Sequence, residues 1–254
     1  MSWRRAAQAR AVREERPAPP AFAWSCGEEG ELCMELAGAA VRMRPSGALW
    51  LESRRWLVAG DLHLEKGSSY GARGQLLPPY DTRATLEKLT AEVAATEPQA
   101  VILLGDTFHD RRALERLDGE DRLRLEWLAH GRTLVWVTGN HDPEAPAGLP
   151  GVSADEVQAD GLVLRHEPQP GSQPGEVAGH LHPCARVLGR SGSVRARAFL
   201  TDGARMILPA FGAYAGGLNC RDVAFAGLWD GPVLAGALGR GKVHAVGPGS
   251  LAPD

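Results

Sequence analysis

The sequence predicts an α/β fold in which two sheets pack on one another with helices on the outer faces. Two rhythms carry that expectation. From Trp56 to Val137, three short apolar runs alternate with two stretches of helical periodicity and short links, the pattern of a sheet built by right-handed crossovers. From about Leu162 the chain changes to short strands and glycine turns with sparse helical signal, the pattern of a second, more antiparallel sheet.

Residues 1–20 carry five arginines against two glutamates, no apolar h-region follows them, and Pro17, Pro19 and Pro20 close the stretch. They read as a disordered or weakly ordered leader. No linker, repeat or low-complexity run divides residues 21–254, which are expected to form one domain. Glu31–Leu36 and Ala40–Arg44, around Gly38, read as opening strands, followed by Ala48–Leu51. Trp56–Gly60 (WLVAG) is a buried-strand run that ends on Asp61. In Asp81–Glu97, Leu86, Leu89 and Val93 recur at helical spacing, with Asp81 as the expected N-cap and Pro98 as the stop. Ala100–Leu104 (AVILL) is again a buried strand, ending on Gly105-Asp106. Glu120–His130 predicts a second helix with Leu123, Trp127 and Leu128 on one face. Thr133–Val137 (TLVWV) then leads into Gly139-Asn140-His141. Leu162–Arg165, Glu176–Gly179, Val194–Phe199, Arg205–Leu208, Val233–Ala237 and Lys242–Val246 supply the second sheet.

With 254 residues, 44% hydrophobic and 23% charged, the composition is that of a globular protein and excludes a disordered chain, a collagen-like repeat and a disulfide-stapled miniprotein. No segment approaches the roughly 20 apolar residues of a membrane-spanning helix, so a soluble protein is expected. Cys26, Cys33, Cys184 and Cys220 show no CxxC spacing and no secretion signal precedes them, which points to a reduced cytoplasm. The net charge of −3 places about −6 beyond the leader, so a globally basic nucleic-acid coat is absent. A polyanionic substrate would have to be drawn in locally, by bound metal or a few placed arginines. Arginine makes up 25 of the 28 basic residues, including Arg73, Arg111, Arg112 and Arg186; so uniform an excess reads as codon bias more readily than as a binding surface.

Five predicted strands run into residues able to hold a metal: Asp61 and His63 (GDLH), Asp106 (GDTFHD), Asn140 and His141 (GNHD), His166 (LRHE), and His180 and His182 (GHLH). In four cases a glycine comes first, at Gly60, Gly105, Gly139 and Gly179, as a tight turn beside a shared centre requires. Carboxyl ends of strands are where ligand sites form in α/β sheets. A lone DxH or HxH is weak, and an isolated buried histidine is more often a satisfied core residue; the joint occurrence after successive apolar strands is what carries the reading. Two carboxylates, four imidazoles and one amide oxygen, with no thiolate, suit manganese, iron or zinc better than a calcium cage or a copper–thiolate centre. Seven ligands are too many for one ion, whereas two ions about 3.5–4 Å apart suit in-line attack on a phosphate ester.

The series GDLH, GDTFHD, GNHD, a lone histidine and GHLH, from about Trp56 to His182, resembles that of calcineurin-like metallophosphoesterases. Asp61–Leu89 (DLHLEKGSSYGARGQLLPPYDTRATLEKL) and Leu208–Asn219 (LPAFGAYAGGLN) resemble the DNA-ligase-associated, PdeM-type branch. The resemblance implies a four-layer α/β/β/α sandwich of two packed mixed sheets flanked by helices. It also implies a manganese-dependent DNA endonuclease linked to a ligase and helicase repair set. On the same footing, Asp61, His63, Asp106 and His182 would hold one ion, and Asp106, Asn140, His166 and His180 the other, with Asp106 bridging. His141 would contact the scissile phosphate and protonate the leaving oxygen.

Many superfamily members place an aspartate where this chain has His109, followed by Asp110; either of the two is expected to orient His141. Asp142, before Pro143, reads equally as a turn residue or as a brace behind the ligands. His130 and His244 match no motif and read as structural or surface residues. Lys66, Tyr70 and Arg73 follow the first ligand pair in a glycine-containing loop and could meet phosphate or base, although plain solvent exposure fits them as well. Asn219, at the end of the glycine-rich Phe211–Asn219 segment, is a candidate substrate contact on a rim of the site. Two rivals to the endonuclease remain: hydrolysis of a small phosphoester such as a cyclic nucleotide or nucleotide-sugar pyrophosphate, and a metal-stabilised scaffold in a repair complex.

Overall fold

Apolar residues alternate along Leu32–Leu36 and Ala39–Met43, so one face of each strand is buried, and Ala37 and Gly38 between them both take positive φ, as a two-residue hairpin turn requires. The structure, a computed structural model, describes residues 22–254 other than Leu76, Pro143, Ala145 and Ser191; the leader lies outside the described residues.

The first sheet contains β1 (Trp24–Cys26), β2 (Leu32–Leu36), β3 (Ala39–Met43), β4 (Leu49–Leu51), β5 (Trp56–Ala59), β6 (Ala100–Leu104), β7 (Thr133–Val137) and β8 (Val152–Ala154), in that spatial order. β1 to β5 form an antiparallel meander, and β6, β7 and β8 then run parallel to β5. The second sheet contains β9 (Glu156–Ala159), β10 (Leu162–Arg165), β11 (Glu176–Ala178), β12 (Pro183–Gly189), β13 (Gly192–Thr201), β14 (Met206–Ile207), β15 (Leu218–Asn219), β16 (Leu234–Gly239), β17 (Lys242–Val246) and β18 (Leu251–Ala252). It too is mixed, with β10, β11 and β14 parallel and the β12–β13 and β16–β17 pairs antiparallel. The helices are α1 (Lys66–Ala72), α2 (Asp81–Thr96), α3 (Ala113–Arg116) and α4 (Gly119–Trp127). The fold is therefore the expected sandwich of two mixed sheets.

One apolar layer lies between the sheets and joins residues such as Val58, Ile102 and Val135 to Leu164, Val177 and Phe199. A second seals α2 and α4 onto the outer face of the first sheet through Leu86, Leu89, Val93, Leu125 and Leu128. Each such side chain, fully buried, stabilises the fold by about 1.5–3 kcal/mol. A third covers the outer face of the second sheet, where Phe225 and Leu228, from a loop carrying the 3-10 turn Val223–Phe225, pack on Ala185, Ala198 and Ala235. Among the described residues no α-helix follows α4, and the fourth layer is that loop. Alanines on the sheet let it approach closely.

Local chemistry moved several elements from their expected places. Asp81 is the first helical residue of α2, not its N-cap, and its carboxylate accepts the Gly67 N–H at 3.0 Å in the first turn of α1. The stretch read as a loop around Lys66 and Tyr70 is thus a short helix. On α4 the inward stripe is Asp121, Leu125 and Leu128, while Leu123 and Trp127 are 65% and 39% exposed. Asp118 caps α4 by accepting the Asp121 N–H at 2.8 Å, and Asp121 turns inward to take Arg83 Nε of α2 at 2.9 Å. That pair sets the rotation of the helix against its apolar count.

Candidate metal centre

Every residue proposed as a ligand stands just past the carboxyl end of a strand. β5, β6 and β7 are parallel neighbours in the first sheet and deliver Asp61 and His63, Asp106, and Asn140 with His141 to one edge. β10 and β11, parallel neighbours in the second sheet, deliver His166, and His180 with His182, to the same place. Within the first edge Asp61 N–H donates to Gly105 O at 3.2 Å and His63 N–H to Asp106 O at 2.9 Å, and His180 N–H, donating to the Asp61 carboxylate at 2.9 Å, joins the second edge to it.

Five of these side chains stand on left-handed backbone without being glycine: Asp61 (φ 56°), His63 (45°), Asp106 (46°), His180 (67°) and His182 (46°). Such residues cost on the order of 1–3 kcal/mol each and gather where function holds them. Among the four preceding glycines only Gly105 has positive φ, at 73°. At Gly139 and Gly179 the need is space, since a Cβ would lie 2.3 Å from the Asp106 nitrogen and 2.5 Å from Asp61 Oδ2. The turns therefore bend at the ligands, and the glycines beside them admit the neighbouring carboxylate.

Ligand atoms of Asp61, His63 and His182 lie within 4.8 Å of one another, as do those of Asp106, His166 and His180. His182 Nε2 is 3.1 Å from both Asp61 Oδ1 and His63 Nε2. Asn140 Oδ1 is 2.9 Å from His166 Nε2 and 3.0 Å from His180 Nδ1, and those nitrogens are 3.2 Å apart. Asp106 stands between the groups, with Oδ1 3.4 Å from His166 Nε2 and Oδ2 3.9 Å from His63 Nε2. Each half is a knot of lone-pair atoms with too few protons to bond them pairwise, and His63 Nδ1 is buried without any partner. Nitrogen and oxygen donors packed in this way fit divalent cations.

The charges agree. Burial, helped by the His182 charge and opposed by Asp106, holds the His63 imidazole neutral with a pKa near 3. Burial also pushes His166 down, but its bond to Asp106 and the charges of Asp61 and Asp106 outweigh that and lift it to about 9. His166 Nδ1–H donates to Leu104 O at 3.1 Å, so Nε2 is the nitrogen that faces the centre.

His141 stands at the rim, 38% exposed, with its N–H on Asp106 Oδ1 at 2.9 Å and Nε2 3.9 Å from Asp106 Oδ2. Its Nδ1–H donates to the main-chain carbonyl of His109 at 2.7 Å, and the two rings stack with centroids 5.6 Å apart. His109 orients His141 through its backbone, and its ring also leans on Tyr70 at 6.0 Å. Asp110 does not take part: its carboxylate accepts the Arg112 N–H and Arg116 Nη2, both at 2.9 Å, at the turn into α3. Asp142 braces the ligand loop by accepting the Thr107 and Phe108 N–H groups at 2.8 and 3.1 Å, and burial raises its pKa to about 6.

Lys66 opens α1 half-buried, near enough for its charge to lower the pKa of both His63 and His109; Arg73 caps the exposed end of α1 and its charge reaches His109. Asn219 turns away from the centre. Its Nδ2 donates to Ala252 O at 3.0 Å, which ties β15 to the C-terminal segment, and its Oδ1 accepts the Arg221 N–H at 2.9 Å in the turn that follows β15. The rim next to the ligands is made by residues 210–217 instead. A Cβ on Gly212 would meet Leu62 O at 2.0 Å, and one on Gly217 would meet His182 O at 2.1 Å. His244 is exposed and donates to Gly239 O, and His130 is exposed.

A centre of this donor set at the joined edges of two mixed sheets defines a metal-dependent phosphoesterase. The chain belongs to the calcineurin-like phosphoesterase family, whose model matches residues 54–202. Among solved structures, the nuclease MPE of Pseudomonas putida is 26% identical over 85% of this chain and 100% of its own, with a TM-score of 0.63. Yfce, a phosphoesterase from E. coli, is 15% identical over 76% of this chain and 98% of its own, with a TM-score of 0.38. No curated protein matches. The family is dimetal-dependent, and the two groups of side chains described above could each hold an ion. No helix among the described residues is long and apolar enough to cross a membrane.

Proposed function

We propose that this chain is a two-metal phosphodiesterase that cleaves DNA, of the ligase-associated branch, working with manganese in the cytoplasm alongside a ligase and a helicase in DNA damage repair. We take residues 21–254 as one catalytic domain. The observation that carries the reading is the meeting of two knots of ligand atoms around Asp106 with His141 on their open side. The likeness to the Pseudomonas putida nuclease supports a nucleic-acid substrate over a small ester.

A bound pair of divalent ions would activate water at neutral pH and neutralise charge on the scissile phosphate. Asp61, His63, Asp106 and His182 would hold one ion; Asp106, Asn140, His166 and His180 the other. His141, fixed by the His109 carbonyl, presents Nε2 to the phosphate and gives its proton to the leaving oxygen. Lys66 and Arg73 offer positive charge to neighbouring phosphates from the two ends of α1.

The test is incubation with manganese and supercoiled plasmid, p-nitrophenyl phosphodiester or monoester, beside His141→Ala. Nicking is expected, with a loss of about 10²- to 10⁴-fold in the variant. Turnover of a small ester with plasmid left intact overturns the endonuclease, and complete inactivity of a metal-loaded chain points to the scaffold.

A further inference from the structure

Lys88 is a half-buried lysine on α2, in none of the metal-binding motifs. Its Nζ donates to Phe211 O at 2.6 Å and Ser46 O at 3.2 Å, and stands 3.7 Å from the centre of the Phe211 ring. A charge taken out of water is costly, and a methionine would fill the same channel without that cost, so the cation acts as a fastening. Burial, together with the Arg197 charge and against Glu92, lowers its pKa to about 7.

Lys88 fastens residues 210–214, a strap tied to both sheets. On the side of the second sheet, Arg197 of β13 donates to Ala210 O and Ala213 O at 3.1 and 2.9 Å. On the side of the first, Ala213 N–H donates to Thr85 Oγ1 of α2 at 2.9 Å. Between them, Phe211 N–H donates to Gly60 O at 2.9 Å and Gly212 N–H to Asp61 O at 3.1 Å. These carbonyls belong to the turn that holds Asp61 and His63 on left-handed backbone. Among the described residues the strap donates no main-chain hydrogen bond to the backbone of Asn140, His166 or His180.

The geometry points to Lys88 as a positioning residue for one half of the metal centre: through the Phe211–Gly212 strap it fixes the turn that aims Asp61 and His63. This rests on the two-ion reading above, and metal binding separates the two. Manganese affinity of the full chain is measured by titration calorimetry for Lys88→Met in two backgrounds. His166→Ala leaves the Asp61–His63–His182 half to be read alone; His63→Ala leaves the other. Lys88→Met is expected to weaken manganese about tenfold in the first background and to leave the second unchanged. Equal losses in both, or no loss in the first, overturn the inference while the two-ion reading stands; a parent chain that binds no manganese overturns both. Where Lys88→Met fails to fold, Thr85→Val, which removes one strap acceptor, is judged by the same two readings with a smaller expected loss.

Discussion

Asp61 and His63 are 0% and 5% exposed, share one turn and are backed by the strap, whereas Asn140 is exposed beyond β7 and His180 is half-buried. Both halves of the centre use the same chemistry, and His166 and Asp106 are as buried as the first pair. The difference is Asn140, an exposed ligand that only the second half has. The half formed by Asp61, His63 and His182 keeps His182 half-buried just as the other keeps His180, and His141 stands beside His63, with ring centroids 5.2 Å apart.

The largest effect should come from the residue that belongs to both halves. Asp106→Ala is expected to abolish manganese-dependent cleavage by about 10³-fold or more and to weaken metal binding throughout; a variant that keeps one tight site would show that the halves are independent. Comparing single ligands sharpens the contrast. His63→Ala should weaken manganese by about 100-fold and Asn140→Ala by about tenfold in calorimetric titrations, and equal losses would erase the distinction.

A third measurement uses protons. With a pKa near 3 in the fold and 6.5 unfolded, His63 takes up a proton on unfolding, so its contribution to stability is present above pH 6.5 and is lost as pH falls towards 3. With a pKa near 9 in the fold, His166 contributes stability in full below pH 6.5 and loses it as pH rises to 9. Melts of the metal-free protein should therefore peak near pH 6.5 in this pair's contribution. Manganese should remove the decline on the alkaline side, because the ion takes the Nε2 lone pair; a flat alkaline arm without metal would contradict the His166 pairing. The smallest effect is at Asn219: Asn219→Ala should leave turnover within about twofold and lower stability by about 1 kcal/mol, read from denaturant melts.

Most of the strands were legible because their signal is local. Ala100–Leu104 and Thr133–Val137 are apolar throughout and flanked by breakers, and they occur where expected. The short edge strands β1, β8, β9, β15 and β18 were not foreseen, because pairing with a neighbour and not composition makes them strands. β12 was missed as well, since Pro183 at its start reads as a break although a strand tolerates proline there. The tight turns were read from their glycines, but at Gly60 and Gly179 the left-handed backbone falls on the next residue, Asp61 and His180, because the ligand and not the glycine is what the fold turns.

What the sequence determined by itself was the set of metal-competent residues and their places at strand ends, because a strand run and the residue after it are read within a few positions. Tertiary structure decided which main-chain groups those residues meet. The His109 carbonyl in place of the Asp110 carboxylate behind His141, the turning of Asn219 towards Ala252, and the reach of Lys88 to Phe211 all follow from the packing of segments far apart in the chain. A hydrogen bond needs its partner within about 3 Å and in line, and for these residues only the assembled sheets bring the partner there.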